Sequence, residues 1–137
     1  MKLLEVTVLG QPVTKKNSQR IVRIGQYHKI LPSKQYTDYQ SEAVSQLEQL
    51  RASVLKIDRP INARYVYYMP SKRRVDLTNL MEATDDILVA AHVLADDNRD
   101  VVAAHDGSRV LYDKKIPRVE ITLEEMEDDY EQWKDNG

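Results

Sequence analysis

The sequence predicts an α+β fold: a single domain with a mixed β-sheet and two main amphipathic helices. Three observations carry this expectation. The candidate elements run strand, hairpin, helix, strand, helix, strands, without the strict alternation of a doubly wound parallel sheet. Residues 33–54 and 77–92 space their apolar side chains by three and four, as amphipathic helices require. Finally, 137 residues, 42% apolar and 31% charged, suffice for one hydrophobic core and leave too little chain for a second domain.

Taken in order, residues 3–9 alternate around Leu3, Val6 and Val8 and stop at Gly10 and Pro12, the pattern of a first strand. Residues 14–20, TKKNSQR, form a polar basic loop. Residues 21–24 and 27–31 flank Gly25 and Gln26 and read as a small hairpin. Tyr36, Tyr39, Ala43, Leu47, Leu50 and Val54 mark a helix that Ser33 can cap. After Pro60, INARYVYYM (residues 61–69) is rich in strand formers and is expected to be a central strand. Pro70 opens the loop SKRRVD, and Leu80, Ala83, Ile87, Leu88 and Ala91 define a second helix over residues 77–92. LADDNRD forms a turn, VVAAH from Val101 a short strand, HDGSR another turn, and RVEITL (residues 118–123) the last strand. Residues 1–123 are therefore expected to be the domain and residues 124–137 an acidic C-terminal tail.

With no Cys, disulfide scaffolds and thiolate sites are excluded, and a metal has only oxygen and imidazole donors to use. No apolar run approaches the ~20 residues that cross a bilayer. The opening MKLLEVTVLG is too short and too alternating for a secretory signal, so a cytoplasmic protein without a membrane partner is expected. The net charge of -2 hides a gradient. Residues 1–75 carry 14 basic and 5 acidic side chains, residues 76–123 carry 5 and 10, and residues 124–137 carry 1 and 7. A basic half suits a polyanionic partner, and an acidic middle suits cations.

The densest constellation runs from Lys72 to Asp100, where a basic loop leads into Asp76 and on to Asp96 and Asp97. Phosphodiester hydrolysis calls for this combination. Carboxylate oxygens hold Mg²⁺ or Mn²⁺, the metal activates water and neutralises the phosphate, and nearby cations hold the strand. Each part also has a plainer reading: Asp before a helix is most often a cap, and an Asp-Asp-Asn turn is most often solvated.

The run from Arg73 to Asp97 resembles the signature of RusA-like Holliday junction resolvases, the crossover junction endodeoxyribonucleases. That signature reads as basic residues, Asp-Leu-Asp-Asn-Leu, an Asp-Ala-Leu helix and a closing Asp-Asp. The corresponding stretches are RRVDLTNL, DIL at Asp86 and ADDN at Ala95, with no gap between them. GQPVTKKNSQR and LPSKQYTDYQSEA upstream, and RVEITL downstream, extend the similarity to about residue 123. The resemblance implies a small, homodimeric, Mg²⁺-dependent endonuclease that cuts four-way DNA junctions by paired nicks in recombination and repair, often phage or prophage encoded. It places the family's first catalytic Asp at Asp76 and its last at Asp97, beside Asp96. Two positions depart from it: Thr78 stands at the family's second Asp, and Glu82 at its catalytic Lys. His92 also stands where a Gly is common in the family.

Two readings of the departures follow. Thr78 and Glu82 lie four apart on one helical face, so Glu82 can restore the lost carboxylate while Lys72, Arg73 or Arg74 supplies the positive charge. The catalytic set is then Asp76, Glu82 and Asp97, with Asp96 as a further metal ligand. Alternatively the site is degenerate, and the protein binds branched DNA without cutting it. A weaker third reading makes the acidic tail a docking module for a basic partner. Geometry constrains all of these, because a straight helix of about 13 to 15 residues would hold Asp76 and Asp97 some 20 Å apart. Either the later loop folds back, or a two-fold dimer joins Asp97 of one subunit to Asp76 of the other, or Asp106 returns along the helix toward Asp76 and Glu82. Asp86 ranks second, with a structural contact as its expected role, and Asp85 and Asp100 are expected in solvent. Lys15, Lys16 and Arg20 in the first loop, and Lys72, Arg73 and Arg74 before Asp76, suit phosphate contacts that position DNA without reading bases. Tyr27, Tyr36, Tyr39, Tyr65, Tyr67 and Tyr68 could each stack on opened bases at a crossover, but most fall on the periodic helix and strand and are expected in the core or an interface, with Tyr27 at the hairpin left open between the two. His28, His92 and His105 lack the partners of a triad or zinc site and are expected in ordinary structural or surface roles.

Overall fold

The computed structural model describes residues 1–15, 20–31 and 33–126. Its main sheet contains β1 (Lys2–Leu9), β4 (Ile61–Met69), β5 (Val102–Ala104), β6 (Arg109–Tyr112) and β7 (Arg118–Glu125). Strands β2 (Arg20–Ile24) and β3 (Tyr27–Leu31) form a separate hairpin, and the two helices are α1 (Lys34–Gln49) and α2 (Leu77–Ala90). The order β1-β7-β4-β5 is antiparallel up to β4. β5 and β6 then share the other edge of β4, both parallel to it. Parallel neighbours need a crossover connection, which α2 supplies between β4 and β5. The sheet is mixed and the fold is α+β, as the element order predicts.

β4 is the central strand. Ile61, Ala63, Tyr65, Tyr67 and Met69 are buried and alternate with half-buried Asn62, Arg64, Val66 and Tyr68. This period of two turns one face of the strand toward the helices. Ala43 and Leu47 of α1 share its core with Leu80, Ile87 and Leu88 of α2 and with Val119, Ile121 and Leu123 of β7. Fully buried side chains such as Leu47 and Leu88 each contribute roughly 1.5–3 kcal/mol.

Several boundaries differ from the sequence expectation. Ser33 caps α1 as expected, its Oγ accepting the Tyr36 N–H at 3.0 Å. The helix nevertheless stops at Gln49 instead of reaching Val54. Arg51 adopts a left-handed conformation (φ 57°), and a 3₁₀ turn over Ala52–Val54 buries Ala52 while Leu50 and Val54 stay exposed. The strand β6 has no counterpart among the expected elements; its four residues pair along Val66–Met69 of β4. β7 continues past Leu123 to Glu125, whose carboxylate pairs with Arg59. The rest of the expected tail, residues 127–137, lies outside the described residues. Among those described, no helix is long and apolar enough to cross a membrane.

Candidate active site

The site is arranged along α2. At its start, Asp76 is the N-cap, its Oδ1 accepting the backbone N–H of Thr78 at 2.9 Å and of Asn79 at 3.4 Å. These bonds satisfy helix donors that have no intrahelical partner. Lys72, Arg73 and Arg74 are exposed just before it, with the Lys72 ammonium 5.5 Å from the Tyr112 ring centroid. Farther along, Glu82 and Asp86 lie one turn apart on the same face.

Asp97 reaches this second locus because the chain reverses after α2. His92 takes a left-handed conformation (φ 61°), and the Val93 N–H bonds back to the Leu88 carbonyl at 2.9 Å. Leu94 then bridges to Ile57, and the Ala95 N–H donates to the Ile57 carbonyl at 2.8 Å. The following loop carries the Asp97 carboxyl to within hydrogen-bonding reach of Asp86. Asp96 turns onto its own loop, Oδ1 accepting the Asp97 N–H at 2.7 Å. Asp76 lies ten residues before Asp86, or about 15 Å along the helix axis. The foldback therefore brings Asp97 to Asp86, whose other acidic neighbour is Glu82, and leaves Asp76 at the other end of the helix.

Lys15 places its Nζ 3.6 Å from Asp86 Oδ2. Burial raises the Asp86 carboxyl above the ordinary range, Lys15 pulls it down, and Asp97 and Glu82 push it up again. The buried Tyr36 hydroxyl has no hydrogen-bond partner among the described residues. Its pKa is pushed up to about 12 by burial and then by the negative charges of Asp86 and Glu82. Lys16 lies outside the described residues. Arg20 opens β2, and its side chain is likewise outside them.

Asp85, expected in solvent, is instead buried. Its Oδ1 accepts the Tyr65 hydroxyl at 2.6 Å, and His105 Nε2 lies 3.0 and 3.1 Å from the two carboxylate oxygens. Burial, followed by the charge of Asp85, drives the Tyr65 phenol well above its usual pKa. Beside this group, the hydroxyls of Tyr67 and Thr84 are 2.6 Å apart. The sequence held one clue to the arrangement: alternation along β4 sends the Tyr65 hydroxyl into the core, where it needs a polar partner. The Asp106 backbone is tied to the Asn62 side chain, its N–H donating at 2.7 Å and its carbonyl accepting at 3.1 Å. These two bonds fix the Asp106 turn at the first residues of β4.

No three described His, Asp or Glu side chains are gathered closely enough to enclose a metal ion. The Asp86–Asp97 pair still suits a hard cation, because Mg²⁺ is commonly held by one or two carboxylates while water and substrate phosphate complete its shell. Two adjacent carboxyls, one held above its ordinary pKa by its surroundings, are also what a divalent cation would relieve.

A family model described as Endodeoxyribonuclease RusA matches residues 10–124, most of the chain. No curated protein matches the sequence.

Proposed function

Because this chain belongs to the RusA endodeoxyribonuclease family, whose members resolve Holliday junctions, we propose that it is a divalent-metal-dependent, structure-selective nuclease that cuts four-way DNA junctions as a homodimer in the cytoplasm. Residues 1–123, with Glu124 and Glu125 completing β7, form the nuclease domain in this reading, and the rest of the acidic segment to residue 137 lies outside it.

The observation that carries the reading is the approach of Asp97 to Asp86, with Glu82 one turn away and Lys15 3.6 Å from Asp86. Asp86 and Asp97 would hold Mg²⁺ or Mn²⁺, and Glu82 would add charge beside them. The bound ion supplies water activation and charge neutralisation at the phosphate. Lys15 keeps a cation among the carboxylates, offsetting the Glu82 that stands where the family has Lys. Tyr36 brings a neutral O–H donor to the same place. Lys72, Arg73 and Arg74 hold the backbone of the DNA near the start of α2, and Lys16 and Arg20 are kept as phosphate contacts on their charge alone. Asp96 braces the loop that carries Asp97. Asp76, about 15 Å up the helix, joins the chemistry from a second copy and faces its partner's Asp97.

The test is cleavage of a synthetic four-way junction against linear duplex with the metal varied. Symmetric nicks that appear only with Mg²⁺ or Mn²⁺ support the reading. A bandshift without nicking at any metal concentration would instead establish a non-catalytic binder of branched DNA.

A further inference from the structure

The β2–β3 hairpin stands apart from the rest of the fold. Among the described residues its strands pair only with each other. A two-stranded hairpin is marginal in water unless something covers it. Here Ile21, Ile24, Tyr27 and Ile30 are 73%, 58%, 79% and 63% exposed, an apolar set concentrated on one small element. The register orders it. Ile21 faces Ile30, Arg23 faces His28, and Ile24 faces Tyr27 across the Gly25-Gln26 turn, with Gly25 at φ 61°. Arg23 folds toward the turn, its Nε donating to the Gly25 carbonyl at 3.0 Å. The ribbon thus ends in an aliphatic–aromatic pair, with basic side chains behind it.

Charge selects the occupant. Between Glu5 and Asp38 the chain has no acidic residue and six basic ones: Lys15, Lys16, Arg20, Arg23, Lys29 and Lys34. A second copy docked hairpin to hairpin would set cations against cations. A polyanion carrying flat apolar faces satisfies both halves of the surface: phosphates meet the cations, and bases meet Ile24 and Tyr27. In sequence the hairpin follows Lys15, the residue whose Nζ lies 3.6 Å from Asp86 Oδ2.

We propose that this hairpin is a branch-point wedge, inserting Ile24 and Tyr27 between unstacked bases of a DNA junction while its basic residues hold the flanking phosphates. The inference rests on the junction-nuclease reading and adds to it the element that senses branching. Apolar side chains can enter a base step at the cost of unstacking it, and that cost is least where stacking is already interrupted. Aromatic contact with the opened base repays the insertion.

The test uses the full chain and junctions with 2-aminopurine at the branch point. Binding of the wild type should raise the 2-aminopurine fluorescence. The double variant Ile24→Ser, Tyr27→Ser should abolish that rise and weaken junction binding by about ten-fold or more. Linear-duplex affinity should change by less than about two-fold, since phosphate contacts remain. Tyr27→Phe, which keeps the ring, should retain the signal, and circular dichroism should match across the variants. A double variant that keeps the fluorescence rise and the junction preference overturns the wedge. So does one that loses self-association in sedimentation, or binding to anionic vesicles, with its junction binding unchanged. A wild type that nicks junctions without disturbing branch-point bases removes the wedge and leaves the nuclease standing. One that neither binds nor nicks junctions removes both.

Discussion

Asp85 and Asp86 are consecutive on α2, about 100° apart around its axis, and their surroundings differ in kind. Asp85 turns inward to Tyr65 and His105 and is enclosed by donors. Asp86 turns toward Asp97 and Glu82, and Lys15 only partly offsets that repulsion. A buried carboxylate with its hydrogen bonds satisfied holds a fold together. A half-buried one kept among other carboxylates works against folding, and such arrangements cluster where chemistry is done. The number of acidic residues in this segment therefore says less than the helix face each one occupies.

The comparison breaks most readily on catalysis. Asp86→Asn and Asp97→Asn should each slow junction nicking by at least ~100-fold, consistent with losing several kcal/mol of metal-assisted charge stabilisation, while binding stays within about two-fold. Single-turnover nicking alongside a bandshift measures both. An Asp86→Asn enzyme that nicks at the wild-type rate would make Asp86 a structural residue like its neighbour.

The next largest effect concerns the remote carboxylate. Asn caps a helix about as well as Asp, so Asp76→Asn should leave stability almost unchanged and silence nicking. Asp97→Asn should likewise be nearly inactive on its own. When the two proteins are mixed and allowed to exchange subunits, nicking should return, because each mixed dimer holds one site with both carboxylates intact. No recovery would confine each site to a single chain.

On the structural side, Asp85→Ala strands the Tyr65 hydroxyl and removes the His105 partner. It should cost about 1–3 kcal/mol, read as a lower urea midpoint with an unchanged slope. Nicking per folded molecule should change far less than in Asp86→Asn. An equal loss of both would erase the distinction between the two residues.

What the sequence disclosed was local. The Ser33 and Asp76 caps, the alternation of β4 and the apolar spacing of α2 are set by neighbouring residues, and the structure contains them. β6 has too few residues to announce itself and owes its form to pairing with β4. The approach of Asp97 to Asp86 was hidden for a similar reason, since it depends on the reversal at His92 and on the bridge between Ile57 and Leu94. A trace of that reversal was present: His92 stands where glycine is common in the family, and its φ of 61° is a conformation glycine adopts without strain. His92→Gly should accordingly stabilise the fold by up to about 1 kcal/mol in urea unfolding and leave nicking intact. A destabilised variant would mean that the imidazole makes a contact outweighing the backbone strain.

The smallest effect returns to Asp86 and fixes its sign. Its carboxyl lies above the ordinary value of 3.8 in the folded chain, so above that value the unfolded chain has released a proton that folded Asp86 still holds. Stability must then fall as pH rises from the ordinary value through the raised one, and Asp86→Asn should remove that fall. At neutral pH the variant should unfold at slightly higher urea than the wild type. Added Mg²⁺ should raise the wild-type midpoint and barely move the variant's, because only the intact pair offers the ion a site. If Mg²⁺ shifted both equally, the ion would be binding elsewhere, and the repulsion at Asp86 would need another explanation.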